Sequence, residues 1–169
     1  MSHTIRTCSI VVALLVAPSS AFAQTNVVSA NPFGLLLNFF NAEYERKVSD
    51  STTAGVGGSF YRDSGDDYVN ADLFYRFYPS GTPFEGFAFG VKAGITRLTE
   101  PESCRFLCER RNRAAVFGVG IDINYSWLPG ETDNFYVGTG FGLKRLYGQD
   151  SYGLEYIPTI RFINVGVAF

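Results

Sequence analysis

The eleven residues 159–169, T-I-R-F-I-N-V-G-V-A-F, constrain the fold more than any other stretch. Counted back from Phe169, large apolar side chains fall on every second position, at Val167, Val165 and Ile163, with Ala168, Gly166 and Asn164 between them. Period-2 alternation marks a strand with two unlike faces. The pattern recurs along the chain. Residues 53–61 set Ala54, Val56, Gly58 and Phe60 against Gly55, Gly57 and Ser59. Residues 68–78 set Val69, Ala71, Leu73, Tyr75 and Phe77 against Asn70, Asp72, Phe74 and Arg76. Residues 86–98, 113–127 and 135–147 alternate in the same way, with Lys92, Asp122 and Lys144 on their small or polar faces. Residues 26–48 divide at 34–38 into two strands, 27–33 and a second in which Phe40, Ala42 and Tyr44 alternate with Asn41, Glu43 and Glu45. That makes eight strands, separated by turn chemistry such as R-D-S-G-D-D at 62–67 and L-P-G-E-T-D-N at 128–134. The longest clear loop is 99–112, and Pro158 suits a strand start, where its missing N–H does least harm.

The chain is 46% hydrophobic and 16% aromatic but only 18% charged, yet no apolar run approaches the roughly 18 residues of a membrane helix. An all-β, eight-stranded antiparallel up-and-down transmembrane β-barrel reconciles these facts, because each strand gives only half its residues to lipid. The leading segment reads as a targeting signal. Arg6 precedes an apolar run at 10–16, followed by Pro18 and the small-residue site Ala21-Phe22-Ala23. The expected organisation is a cleaved signal peptide at 1–23 and one barrel domain at 24–169. Loss of Arg6 takes the formal charge from −2 to −3, and no basic bias points to nucleic acid.

Two stretches resemble a known family. The segment N-P-F-G-L-L-L-N-F-F-N-A-E-Y-E-R-K-V-S-D at 31–50, together with the closing strand ending in Phe169, is similar to small bacterial outer-membrane β-barrel domains, the OmpA/OmpX-like eight-stranded barrels. The resemblance covers both ends of the mature chain. It implies a Gram-negative outer-membrane location, an even strand count with both termini in the periplasm, and a terminal aromatic, Phe169, read by the barrel-insertion machinery. Strand parity then puts 49–51, 79–83 and 128–134 in the periplasm and the longer connections at 62–67, 99–112 and 148–158 outside.

The apolar faces must look at lipid, because a charge or an unpaired backbone group there is costly. Glu43, Glu45, Asp72, Arg76, Lys92, Asp122 and Lys144 then line the lumen. They read as a packed, paired network, the sharper alternative being a proton or substrate path. An eight-stranded barrel is wide enough to be filled by its own side chains, so no open channel is expected. Tyr44, Tyr61, Tyr68, Tyr75, Tyr78, Tyr125, Trp127, Tyr136 and Tyr147 lie toward strand ends, where those facing out would form interfacial girdles. An aromatic ligand site is the alternative.

Histidine decides most of the chemistry. The single histidine, His3, leaves with the signal. A Ser-His-Asp site is thereby excluded from the mature chain, and so is the histidine base used by the outer-membrane lipases, acyltransferases, deacylases and proteases that resemble it in architecture. Two cysteines without histidine make a poor zinc site, and no cofactor is expected. Cys104 and Cys108, spaced C-x3-C, read as a disulfide in an oxidising compartment, with reactive thiols as the alternative. Arg105, Arg110, Arg111 and Arg113 form a basic cluster in the same loop and at its rim, suited to the phosphates of lipopolysaccharide. Plain solvation and an extracellular protein partner are the other readings. The function expected is a structural or surface-interaction barrel without enzymatic activity. A small-molecule or lipid binder or narrow transporter stands as the alternative, and a lipid-modifying enzyme behind it.

Overall fold

A computed structural model describes residues 24–34, 38–63, 66–99, 115–147 and 156–169. Eight strands are present: β1 (Asn26–Ala30), β2 (Phe39–Ser49), β3 (Thr52–Asp63), β4 (Asp66–Phe77), β5 (Gly86–Thr99), β6 (Val116–Trp127), β7 (Phe135–Tyr147) and β8 (Tyr156–Ala168). Each pairs antiparallel with its sequence neighbours, and β1 pairs with β8 to close the barrel. The division of 26–48 into two strands therefore holds, and the count is even. The signal segment and the loop carrying both cysteines and the four expected arginines lie outside the described residues.

Alternation sets the two faces. Along β6, every second residue from Phe117 to Trp127 is exposed and the residues between are buried or nearly so. Leu73, 66% exposed, and Ile121, 65% exposed, show how apolar the outer surface is. A continuous apolar band of this kind suits hydrocarbon, since soluble monomers expose apolar patches of only a few hundred Å². Aromatic rings frame the band. Phe87, Tyr125 and Trp127 stack in sequence near the ends of their strands, with centroids 4.9 and 5.6 Å apart.

The turns between β2 and β3, β4 and β5, and β6 and β7 share one end of the barrel with Gln24 and Phe169. The β4–β5 turn does more than reverse the chain. Phe84 adopts a positive φ of 70° and is 1% exposed. That backbone conformation is uncommon for a bulky residue, and burial of the ring offsets its cost. Phe84 meets Tyr78 edge-on at 6.4 Å and packs with Val27, Tyr136, Ala168 and Leu128 into a plug across this turn end. Tyr78 and Tyr136, grouped above with the candidate girdle aromatics, thus point into the lumen.

Two local features break the regular pattern. In β8, Gly138 of β7 pairs with Asn164 while Gly140 pairs with Arg161, so β8 carries one extra residue, a β-bulge. Phe162 and Ile163 both face outward, and the phase reverses beyond them. The other feature is the early end of β1. Pro32 has no N–H to extend a ladder. The Asn31 side chain accepts hydrogen bonds from the backbone N–H groups of Phe33 and Gly34 at 2.9 and 3.0 Å, which curls the chain back over β2. A side chain at Gly34 would collide with the Phe39 carbonyl oxygen, so this turn requires glycine.

Candidate functional site: the charged lumen and its cavity

Inward positions of six strands bring charged side chains together inside the barrel. Arg76 of β4 sits at the centre, 2% exposed. Its Nη1 donates to Glu45 Oε2 at 2.6 Å, both terminal nitrogens reach Glu43 Oε2 at 3.1 Å, and Nε lies 3.8 Å from Asp122 Oδ1. The guanidinium also stacks on the Phe74 ring, 3.9 Å from its centroid. Glu45 receives further hydrogen bonds from Thr53 and from Tyr78 Oη, the latter at 2.9 Å. Small residues opposite make the room. A side chain at Gly55 would strike the Phe74 ring, and one at Gly90 would strike the Asp122 carboxylate.

A second cluster lies on β4, β5 and β7. Lys144 Nζ, fully buried, donates to Asp72 Oδ1 at 2.6 Å, Asn70 Oδ1 at 2.8 Å and Thr96 Oγ1 at 3.1 Å. Lys92 reaches Asp122 Oδ2 at 3.1 Å and Thr159 Oγ1 at 2.8 Å. Asn124 steadies Asp122 with a 2.7 Å hydrogen bond. All seven charged residues singled out from the alternation thus project into the lumen.

Arg161 is the member that alternation misses. Strict period-2 counting back from Phe169 puts it on the lipid face. The bulge at Phe162 and Ile163 turns it inward, where Nη2 meets Tyr136 Oη at 2.8 Å, Glu43 Oε2 at 3.3 Å and Ser29 Oγ at 3.4 Å. With Arg161 the buried network holds Glu43, Glu45, Asp72 and Asp122 against Arg76, Lys92, Lys144 and Arg161, four charges of each sign. Without it the set carries one excess negative charge, an imbalance already present in the sequence-derived list.

Side chains fill the turn side of the lumen and, through Lys144, Thr96, Val116 and Leu146, part of the loop side. Between the network and the loop end lies a cavity of about 560 Å³, where the sequence reading expected filling throughout. Its walls include Phe39, Tyr61 and Tyr68, and its floor includes Glu43, Arg76 and Arg161. Among the described residues, no group of three or more histidine, cysteine, aspartate or glutamate side chains has the geometry to hold a metal ion.

These features define an architecture: a closed, eight-stranded, all-antiparallel barrel, apolar outside and charged within. Among solved structures, the chain is similar in fold to the crystal structure of the N-terminal β-barrel domain of Pseudomonas aeruginosa OprF. Sequence identity is 18% and the TM-score 0.50, over 86% of this chain and 98% of that one. The Yersinia pestis outer membrane protein Ail, solved in a phospholipid bilayer nanodisc, aligns at 12% identity and a TM-score of 0.49, over 86% of this chain and 99% of that one. No family model matches the chain, and no curated protein matches it by sequence.

Proposed function

We propose that this chain, once its signal peptide is cleaved at 1–23, is a small outer-membrane barrel of Gram-negative bacteria with a structural or surface-interaction role and no enzymatic activity. The observation that carries this reading is the lumen. A charge-balanced network and an aromatic plug at Phe84 and Tyr136 block the turn end, so the barrel is built to stand in the membrane and present its loop end, not to conduct. Phe169 serves as the insertion signal, and the barrel-insertion machinery is its partner in assembly. Cys104 and Cys108 form a disulfide in the outer loop.

Lipopolysaccharide is the expected surface partner, through Arg105, Arg110, Arg111 and Arg113. The reading draws support from a second set of arginines. Arg62, Arg97 and Arg145 lie on outward positions near the loop ends of β3, β5 and β7 and are exposed. Arg145 lies 5.3 Å from the Tyr147 ring centroid and 5.7 Å from that of Tyr156. Arginine among aromatics at a membrane boundary matches the phosphate level of a lipid leaflet.

Reconstitution into planar bilayers tests the closed lumen. The purified barrel is expected to give no stepwise conductance. Reproducible single-channel steps from the unmodified protein would overturn this reading in favour of a narrow transporter.

A further inference from the structure

Three rows of inward residues cross β2, β3 and β4 from the loop end down to the charged network. Phe39 pairs with Tyr61 and Tyr61 with Tyr68, so three aromatic residues stand side by side on adjacent strands. Two residues deeper, Asn41 pairs with Ser59 and Ser59 with Asn70. Two residues deeper again, Gly57 lies between Glu43 and Asp72. All of them line the cavity. Opposed residues on neighbouring strands lie about 4.5–5.5 Å apart at Cβ, so the rows form one continuous wall, aromatic toward the loop end and ionic at its base.

Exposure decides which of these groups can meet a ligand. Phe39, Glu43, Ser59, Tyr61 and Tyr68 are half-buried. They alternate with Phe40, Phe60 and Val69, which are exposed on the outer face, so the surface they retain looks into the cavity. Asn70 is already engaged by Lys144, Thr96 and Asp72 and serves as a fixed wall. Among the described residues, the contacts from Arg76 and Arg161 fall on Glu43 Oε2, and the Glu43 side chain keeps 16% of its surface.

That set of groups selects a chemical class. A cation is disfavoured, because Glu43 already faces two guanidinium groups. An anion would meet the same carboxylate. Either would also unbalance a buried set that holds equal numbers of each sign, and uncompensated buried charge is costly. What fits is a neutral molecule with an apolar ring face and several hydroxyls. Its C–H groups suit the negative faces of aromatic rings. A hydroxyl can donate to the Glu43 carboxylate, which only accepts, and can exchange hydrogen bonds with Ser59. The volume, about 560 Å³, lies within the range of small-molecule sites, roughly 300–1,000 Å³, and has room for a short saccharide.

We propose that this cavity binds a neutral saccharide, its ring face against Phe39, Tyr61 and Tyr68 and its hydroxyls on Ser59 and Glu43, either as a free sugar or as the exposed end of a glycan. The site goes beyond the structural role above and depends neither on membrane placement nor on the absence of conductance, so the two readings fail separately.

Saturation-transfer difference NMR tests it on the purified full barrel in a polyoxyethylene detergent, which carries no sugar or choline group. The probes are glucose, galactose, mannose and N-acetylglucosamine. Saturable transfer to the ring C–H protons of at least one of them is expected, with no competition from choline or acetate. Tyr68→Leu, which keeps apolar bulk but not the flat ring, is expected to weaken that binding by about tenfold, the upper scale of an aromatic contact. Ser59→Trp, which fills the cavity from β3 and leaves every residue of the charged network in place, is expected to abolish it. Gel mobility before and after boiling checks that each variant is folded, and Ser59→Trp keeps the test decisive if Tyr68→Leu is not. The sugar that binds is then compared as its methyl glycoside and as a polymer ending in it. Tighter binding of the first assigns a free sugar and of the second a glycan end, and both support the proposal. No transfer to any of the four sugars, binding unchanged in Ser59→Trp, or displacement by choline or acetate as effective as by the sugar would overturn it.

Discussion

Replacing Arg76 with methionine is expected to destabilise the barrel by about 3–5 kcal/mol, the cost of removing one partner of a buried ion pair. What each carboxylate retains sets the size of the effect. Glu43 keeps Arg161, and Asp122 keeps Lys92 and Asn124. Glu45 keeps only the neutral hydroxyls of Thr53 and Tyr78, and at 1% exposure it cannot turn to water. The large effect is thus the stranding of one carboxylate. The double variant Arg76→Met with Glu45→Gln is expected to recover most of the loss, since the glutamine amide still accepts from Thr53 and Tyr78 without a charge to compensate. Urea unfolding of the barrel in lipid vesicles measures both. The exposed pair of Arg62 and Asp67, 2.7 Å apart, serves as the contrast, and Arg62→Met is expected to cost no more than about 1 kcal/mol. A loss of that small size for Arg76→Met would mean that water reaches Glu45 and the lumen is not a dry network.

Placing arginine at Ile121 is expected to cost about 2–4 kcal/mol, the depth-dependent penalty at the middle of a bilayer. Ile121 lies midway along β6 with its side chain outward and 65% exposed. The same change at Tyr125, nearer the turn end and between Phe87 and Trp127, is expected to cost no more than about 1 kcal/mol. The contrast separates two readings of the same apolar face. A barrel in lipid pays according to depth, and a guanidinium introduced at mid-strand has no headgroup within reach. A barrel in water would tolerate Ile121→Arg better than the wild type, because an exposed isoleucine would be exchanged for a solvated cation. Unfolding in vesicles, with folded and unfolded forms resolved by gel mobility, distinguishes them.

The fold was legible because a membrane barrel writes its faces into every strand with period 2. Val69 to Phe77, Phe87 to Ile95 and Phe135 to Leu143 fall on the outward faces that alternation assigns them. The split of residues 26–48 was legible too, because N-P-F-G carries its own stop signal in Pro32, Asn31 and Gly34. The candidate site was less legible, and for a definite reason. Alternation fails at a bulge, where one extra residue reverses every side chain beyond it. Arg161 was lost in this way. Two signals point to it in retrospect: the adjacent apolar pair Phe162 and Ile163, and the unmatched fourth acidic residue. Phe84 lay in a turn, where no period exists to read, so its place in the plug depends on tertiary packing alone. Tyr136 shares the inward phase of Gly138 and Lys144 and was readable, but strand-end aromatics look alike from either face. The cavity was not legible at all. It follows from how far the short β1 climbs and how long the side chains below it are, and neither is a pattern in sequence.

Each of these expectations rests on one condition, a stable closed barrel whose apolar side faces lipid. It is tested most directly by separating inner from outer membranes and running the outer-membrane fraction on a denaturing gel, boiled and unboiled. A band confined to that fraction that migrates differently after boiling is the predicted result, because a closed, hydrogen-bonded barrel resists detergent until heated. Recovery in the soluble periplasm with one mobility under both conditions would contradict the account, since the exposed faces of β4, β5 and β6 would then have to pack against something other than lipid.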